Sequence, residues 1–419
     1  MQYRKLLIIA VAAATTTALA AGCSSSKKSG GGSSDRGPIT FVTGKDTSGV
    51  WPAVADQWNK AHPNEKVTVK QQSDQADQQH DDIVQHMQAK DPGYDVVTVD
   101  VIWTAEFAAK GWLVPLKGDL SLDTSPMLQG PVKAATYNGT LYAAPYASDG
   151  GLLYYRKDLV PTPPTTWSEL ISDCAKKTSS MNCYGGQFSQ YEGLTCNAVE
   201  AIYGAGGSVV KSDGKTPDID TPQAAQGLDF LVNGFKQGYI AKEAITYQEE
   251  PSREAFQSGK LMFLRNWPYV YAHLTGDANS QVKDKFGVAP LPGMSGTGTS
   301  TLGGHSAAIS TYSKHKGTAY DFLKFIETPD IQDNVFLKIG TLAPVIKAPY
   351  SDASAIAKFP YLPTLEKSID TAIPRPVSPF YPAITQSIQT NVYQALQGSL
   401  STQQALKNIQ EGITKAAGS

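Results

Sequence analysis

Two aspartates set the first chemical question in this chain of 419 residues. Asp100 ends a short β-branched run (DVVTVD, 95–100), and Asp149 follows the extended segment LYAAPY (141–146). Two carboxylates can serve as the acid and the nucleophile or base of a glycosidase. They can equally accept hydrogen bonds from neutral hydroxyls, or do no more than cap helices and turns. Nothing in the surrounding sequence marks either one as having a raised pKa. A pyranose presents an apolar face ringed by hydroxyls, so capturing one takes an aromatic plate beside carboxylates and donors that fix its orientation. Trp267, followed by Pro268 in RNWPY, is a candidate plate, set against the commoner fate of a tryptophan in a core. No CxxC, HExxH or His/Cys cluster suggests a metal site, and no cofactor is expected.

The elements that must hold these residues alternate short apolar, β-branched runs with longer amphipathic segments, the rhythm of α/β lobes. Strands are predicted at 39–43, 67–70, 95–100, 141–145, 151–156, 261–265 and 307–310. Thr166 with Glu169 forms a capping-box pattern ahead of one helix, Thr221-Pro222 opens another, and Ser401 with Gln404 starts the last. Segments 141–146 and 286–292, each extended and ending at proline, read as crossings between two lobes or as edge strands.

The chain starts like an export signal over residues 1–22: Arg4 and Lys5, an apolar run, then small residues. That run is much shorter than the roughly 20 residues a membrane span needs. Leu19-Ala20-Ala21-Gly22-Cys23 resembles the bacterial lipobox, with Cys23 as the lipidated residue, and the Ser/Gly-rich stretch up to residue 37 reads as a tether. Without the leader's two cations the formal charge moves from −2 to −4, with no basic stripe, which argues against a nucleic-acid partner. About 380 residues remain, enough for two lobes. In an exported chain, Cys174 and Cys183 are expected to close a local disulfide, leaving Cys196 as a small buried residue.

Eight blocks in order then carry a resemblance over nearly the whole mature chain. Among them are DVVTVDVIWTAEFAAKGWLVPL (95–116), GGLLYYRKDL (150–159), YEGLTCNAVEAIYGAGG (191–207), FLRNWPYVYA (263–272), TLGGHSAAIS (301–310) and PRPVSPFYP (374–382). The chain resembles the extracellular solute-binding proteins of carbohydrate ABC importers, and is most similar to their trehalose/maltose-binding branch. That resemblance implies a periplasmic-binding-protein-like α/β fold of two discontinuous lobes, 38–145 plus 288–347 and 146–287 plus 348–419. Hinge strands would join the lobes around a ligand cleft. It implies a monomer, attached to the membrane only through its lipid, that hands a small sugar to permease subunits without catalysis. It also assigns Asp100, Asp149, Tyr191, Gly304 and Arg375 to ligand contact and Trp267 to stacking under the ring. The chain departs from the pattern at His305, where a second stacking tryptophan is expected, and at Ala147. It departs again at Thr47 with Asp46 beside it, and at Gln79 or His80, which replace an acidic and an arginine contact. In the wider superfamily adjacent tyrosines hold ferric ion, but Tyr154-Tyr155 sits in a predicted strand, whose neighbours face opposite ways.

Overall fold

The computed structural model describes residues 35–46 and 48–418, so Cys23 and Thr47 lie outside the described residues. Its strands are β1 (Ile39–Thr43), β2 (Val67–Gln71), β3 (Val96–Asp100), β4 (Thr136–Tyr137), β5 (Thr140–Leu141), β6 (Ala144–Gly150), β7 (Leu152–Arg156), β8 (Asn182–Gly185), β9 (Leu261–Asn266), β10 (Phe286–Pro290) and β11 (Leu302–Ile309). A five-stranded sheet runs β2-β1-β3-β11-β6, and a four-stranded sheet runs β10-β7-β9-β8, with β4 and β5 forming a small hairpin. The result is a mixed α/β architecture of two lobes. In the first sheet β1 is parallel to β2 and β3, while β11 runs antiparallel to β3 and β6. Strands with helices on both faces lose their polar alternation. β9, reading LMFLRN, is accordingly buried throughout.

On one side of the first sheet Phe41, Trp51, Trp58, Phe322 and Phe336 form an aromatic core with the helices Val50–Ala61 and Lys316–Ile326. On its other side the apolar packing continues from Val97 and Val99 into Tyr154 and Phe263 of the second sheet.

The chain changes sheet at Gly150-Gly151, later than segment 141–146, because β6 continues through Pro145 as an edge strand, where proline's missing donor is tolerated. Asp149, expected in the second lobe, therefore stands in the first sheet. Segment 286–290 is likewise a strand of the second sheet, and the return passage is 291–301. A third passage lies against it: Ile373 donates its N–H to Ser300 O at 3.0 Å, and Leu302 donates to Ile373 O at 3.1 Å. A Cβ on Gly150 would come within 2.5 Å of Ser368 Oγ, so the first crossing has room only for glycine.

Local signals are realised in the helices. Thr166 Oγ1 accepts from Glu169 N at 3.1 Å while Glu169 Oε2 accepts from Thr166 N at 3.1 Å, completing the capping box. Thr221 Oγ1 accepts from Ala224 N at 3.2 Å, and Ser401 Oγ accepts from Gln404 N at 3.2 Å. Cys174 and Cys183 are joined in a disulfide, and Cys196 is a buried free thiol. Among the described residues no helix is long and apolar enough to cross a membrane.

Candidate ligand-binding cleft

The second lobe supplies the aromatic plate. β9 ends at Asn266, whose side-chain Oδ1 accepts from Trp267 N at 2.7 Å, and the Tyr154 hydroxyl donates to Trp267 O at 2.8 Å. These bonds fix the turn that presents the half-buried indole. One face of the ring lies under the Arg265 guanidinium, 3.8 Å from the ring centroid. The ring's edge approaches Gly303, where a Cβ would stand 3.0 Å from Trp267 Cζ3 and 3.1 Å from Asp149 Cβ. Gly303 is therefore small because Trp267 and Asp149 meet over it. Tyr155, the neighbour of Tyr154, packs its ring over Gly287, so the two tyrosines serve different surroundings.

Behind the plate runs the helix Glu192–Gly204. Glu192, Cys196 and Glu200 recur every four residues and share one helix face. Glu200 binds Arg265 through both oxygens, at 2.7 and 2.5 Å. Glu192 accepts from Arg375 Nη1 at 2.5 Å, from Thr385 Oγ1 at 2.6 Å and from the Tyr381 hydroxyl. Burial pushes the Glu192 carboxyl up, with Arg375 pulling it back, and burial pushes the Cys196 thiol to about 12. Tyr191 donates to Glu249 Oε2 at 2.6 Å. Burial pushes the Glu249 carboxyl up, while Tyr191, Arg265 and the Trp267 side chain draw it back. Glu192, Glu200, Glu249 and Arg265 are absent from the sequence-based expectations, although two acidic residues eight apart in an apolar helix are a visible sign of buried pairing.

The first lobe faces this wall with fewer commitments. Asp100 Oδ1 accepts from Ile102 N at 3.2 Å and, across the cleft, from Arg375 Nη2 at 3.3 Å. Arg375 is buried, and its Nε has no hydrogen-bond partner among the described residues. The Asp149 carboxylate accepts no hydrogen bond from any described residue. Burial raises it to about 6; Asp100 adds to the rise, and His305 and Arg265 oppose it. His305 pairs with Ala147 and Asp100 in the strand register, and its ring lies 6.2 Å from Tyr146. Gly304 has φ +118°, and a Cβ there would meet Ala147 O at 2.4 Å, so the backbone approach to β6 excludes any other residue.

Two further candidates are spent on structure. Asp46 caps the helix Val50–Ala61: Oδ1 accepts from Ser48 N at 2.8 Å and Gly49 N at 2.9 Å, and Oδ2 from Trp51 N at 2.9 Å. His80 bonds Glu106 Oε2 through Nε2 at 2.7 Å and stacks on Phe107. Burial alone would lower its pKa, but Glu106 and Asp81 more than offset that and raise it. Gln79 donates to Ser73 O at 2.8 Å. The residues brought together are thus Asp100, Asp149, Trp267, Gly303, Gly304, His305 and Arg375, with Tyr191 behind the plate. They form a plate, a free acceptor and a cross-cleft arginine.

Residues 44–333 match the family described as bacterial extracellular solute-binding protein. A probable ABC transporter-binding protein of Deinococcus radiodurans is 30% identical over 386 residues, which cover 87% of this chain and 89% of that protein. A maltotriose-binding protein of Pyrococcus abyssi is 26% identical over 75% of this chain and 68% of its own length. Among solved structures, maltose-bound MalE3 of T. maritima superposes with a TM-score of 0.84 at 32% identity, covering 90% of this chain and 99% of the other. These relatives are binding proteins, and the chain belongs to the bacterial extracellular solute-binding proteins.

Proposed function

We propose that the cleft captures an α-linked disaccharide or short oligosaccharide of the maltose or trehalose type and delivers it to a permease. The observation that carries this reading is the meeting of Trp267 and Asp149 over Gly303. One group offers an apolar ring face, and the other is a carboxylate with no donor among the described residues, the pair a pyranose requires. Asp149's raised pKa is what a glycosidase acid would also show, but membership of a binding family favours an acceptor role. The sugar would bridge Asp100 and Asp149 on one side to Trp267 and Arg375 on the other, stabilising the closed form by its preferential contacts. The importer would read that closed shape. Attachment through a lipid on Cys23 belongs to the same reading; mass spectrometry of the membrane-bound protein would detect the acylated cysteine.

Calorimetric titration against trehalose, maltose, sucrose, maltotriose, xylobiose and galactose tests the proposal. Saturable binding of an α-linked sugar supports it, and silence across the panel removes it. A second reading, a different sugar, draws on the half-buried His305, whose imidazole makes no hydrogen bond to any described residue. An imidazole there stacks less than an indole and adds a polar edge. Preference for xylobiose or galactose in the same titration would favour that reading.

A further inference from the structure

We propose that Arg265 and Glu200 are positioning residues for Trp267, a role that rests on the sugar-binding reading above and assigns the back wall of its plate. The guanidinium has donors around its rim and two bare faces. Here the rim is engaged: Nε and Nη2 go to Glu200, and Nη1 donates to Gln187 Oε1 at 3.0 Å. Gln187 is itself locked, donating from Nε2 to Ser252 Oγ at 2.8 Å and to Arg265 O at 3.0 Å. With its rim held, the arginine presents a face, and the Trp267 indole lies on it.

The same carboxylate reaches the passage between lobes. Glu200 Oε1 accepts from Thr301 N at 3.1 Å and Thr301 Oγ1 at 3.0 Å, and it lies 3.3 Å from Ser300 Oγ, which in turn accepts from Gly151 N at 2.6 Å. Thr301 stands two residues before Gly303, against which the indole edge rests. One buried carboxylate therefore fixes both supports of the plate: the cation behind it and the strand at its edge. A buried ion pair is a weak source of stability, since well-packed apolar residues often do as well. What it supplies here is orientation: a flat cation that cannot swing away from the ring. Lysine cannot replace it, because an ammonium has neither the bidentate fork nor the face.

The test is a double-mutant cycle on the full chain, using Arg265→Lys and Trp267→Ala with the sugar identified by calorimetry. If the arginine acts through the plate, Arg265→Lys weakens binding by about tenfold when Trp267 is present and by less than about twofold alongside Trp267→Ala. Equal losses in both backgrounds would assign Arg265 a general structural role and overturn the proposal, as would no loss in either. Glu200→Gln, which keeps the side-chain shape, provides the second variant and should show the same dependence on Trp267. A readout without ligand separates this proposal from the sugar reading. Acrylamide quenching of the Trp267 emission, taken as the difference from Trp267→Phe, should increase in Arg265→Lys. That increase upholds the positioning role even where no sugar in the panel binds, and unchanged quenching refutes it.

Discussion

The two walls of the cleft differ in how much of their polar chemistry is already satisfied. On the second lobe, Arg265, Glu200, Glu192 and Tyr191 are bonded to one another or to neighbours before any ligand arrives. On the first lobe, the Asp149 carboxylate and the His305 imidazole have no hydrogen-bond partner among the described residues, and the Asp100 carboxylate has one backbone donor and a long bond from Arg375. A prepared wall loses little on binding, because its side chains are already ordered. An unsatisfied wall gains most, because a ligand hydroxyl supplies the missing bond. Shape is thus set by one lobe, and the sensing of hydroxyls by the other.

Removing the acceptor is expected to have the largest effect. Asp149→Ala leaves ligand hydroxyls unpaired in a closed cleft and should weaken sugar binding by roughly 1.5–3 kcal/mol, about tenfold to a hundredfold or slightly more. Wild-type affinity in calorimetry would end the role given to Asp149. Trp267→Ala should cost about tenfold or somewhat more through lost stacking with the fold retained by circular dichroism; an unchanged Kd would take the indole out of the site.

A third expectation concerns pH. Only the ionised Asp149 accepts two hydroxyl bonds, so affinity should fall as pH drops through about 6, approaching tenfold per pH unit below that, and the dependence should vanish in Asp149→Asn. A flat profile between pH 5 and 7.5 would break the contrast between the walls.

The same shift has a stability counterpart. The folded pKa is raised, so the native protein holds this proton more tightly than the unfolded chain, and stability declines as pH rises from about 4 through 6. Asp149→Asn should therefore stabilise the unliganded protein by roughly 1–3 kcal/mol at pH 7.5 and hardly at all near pH 4, as read by denaturant unfolding. The smallest effect on binding is expected for Asp46→Ala. Loss of the cap should lower stability by about 1 kcal/mol while changing sugar affinity less than about twofold.

Much of this was legible because the determinants are local. The bonds of Thr166 with Glu169, and of Ser401 with Gln404, span three residues and follow from side-chain type alone. By contrast, Gly303-Gly304 lie outside the predicted strand, which begins at Ala307. The pair is in fact strand, kept small by Trp267 on one side and by Ala147 O on the other. Asp46 and His80 were placed at the site by their position in the resemblance, but their partners, the helix N-terminus and Glu106, draw them into structure. The pairs Glu200–Arg265 and Glu192–Arg375 were invisible for a different reason. Their members lie 65 and 183 residues apart, and only the folded sheet order brings them together.

The position of Asp149 beside Gly150-Gly151 has a consequence for kinetics. A group next to a point of rotation travels least, and Arg375, two residues after Ile373 of the third passage, shares that position with Asp149. Both groups should accordingly be in place when a sugar first docks, leaving its residence to contacts farther from the crossings.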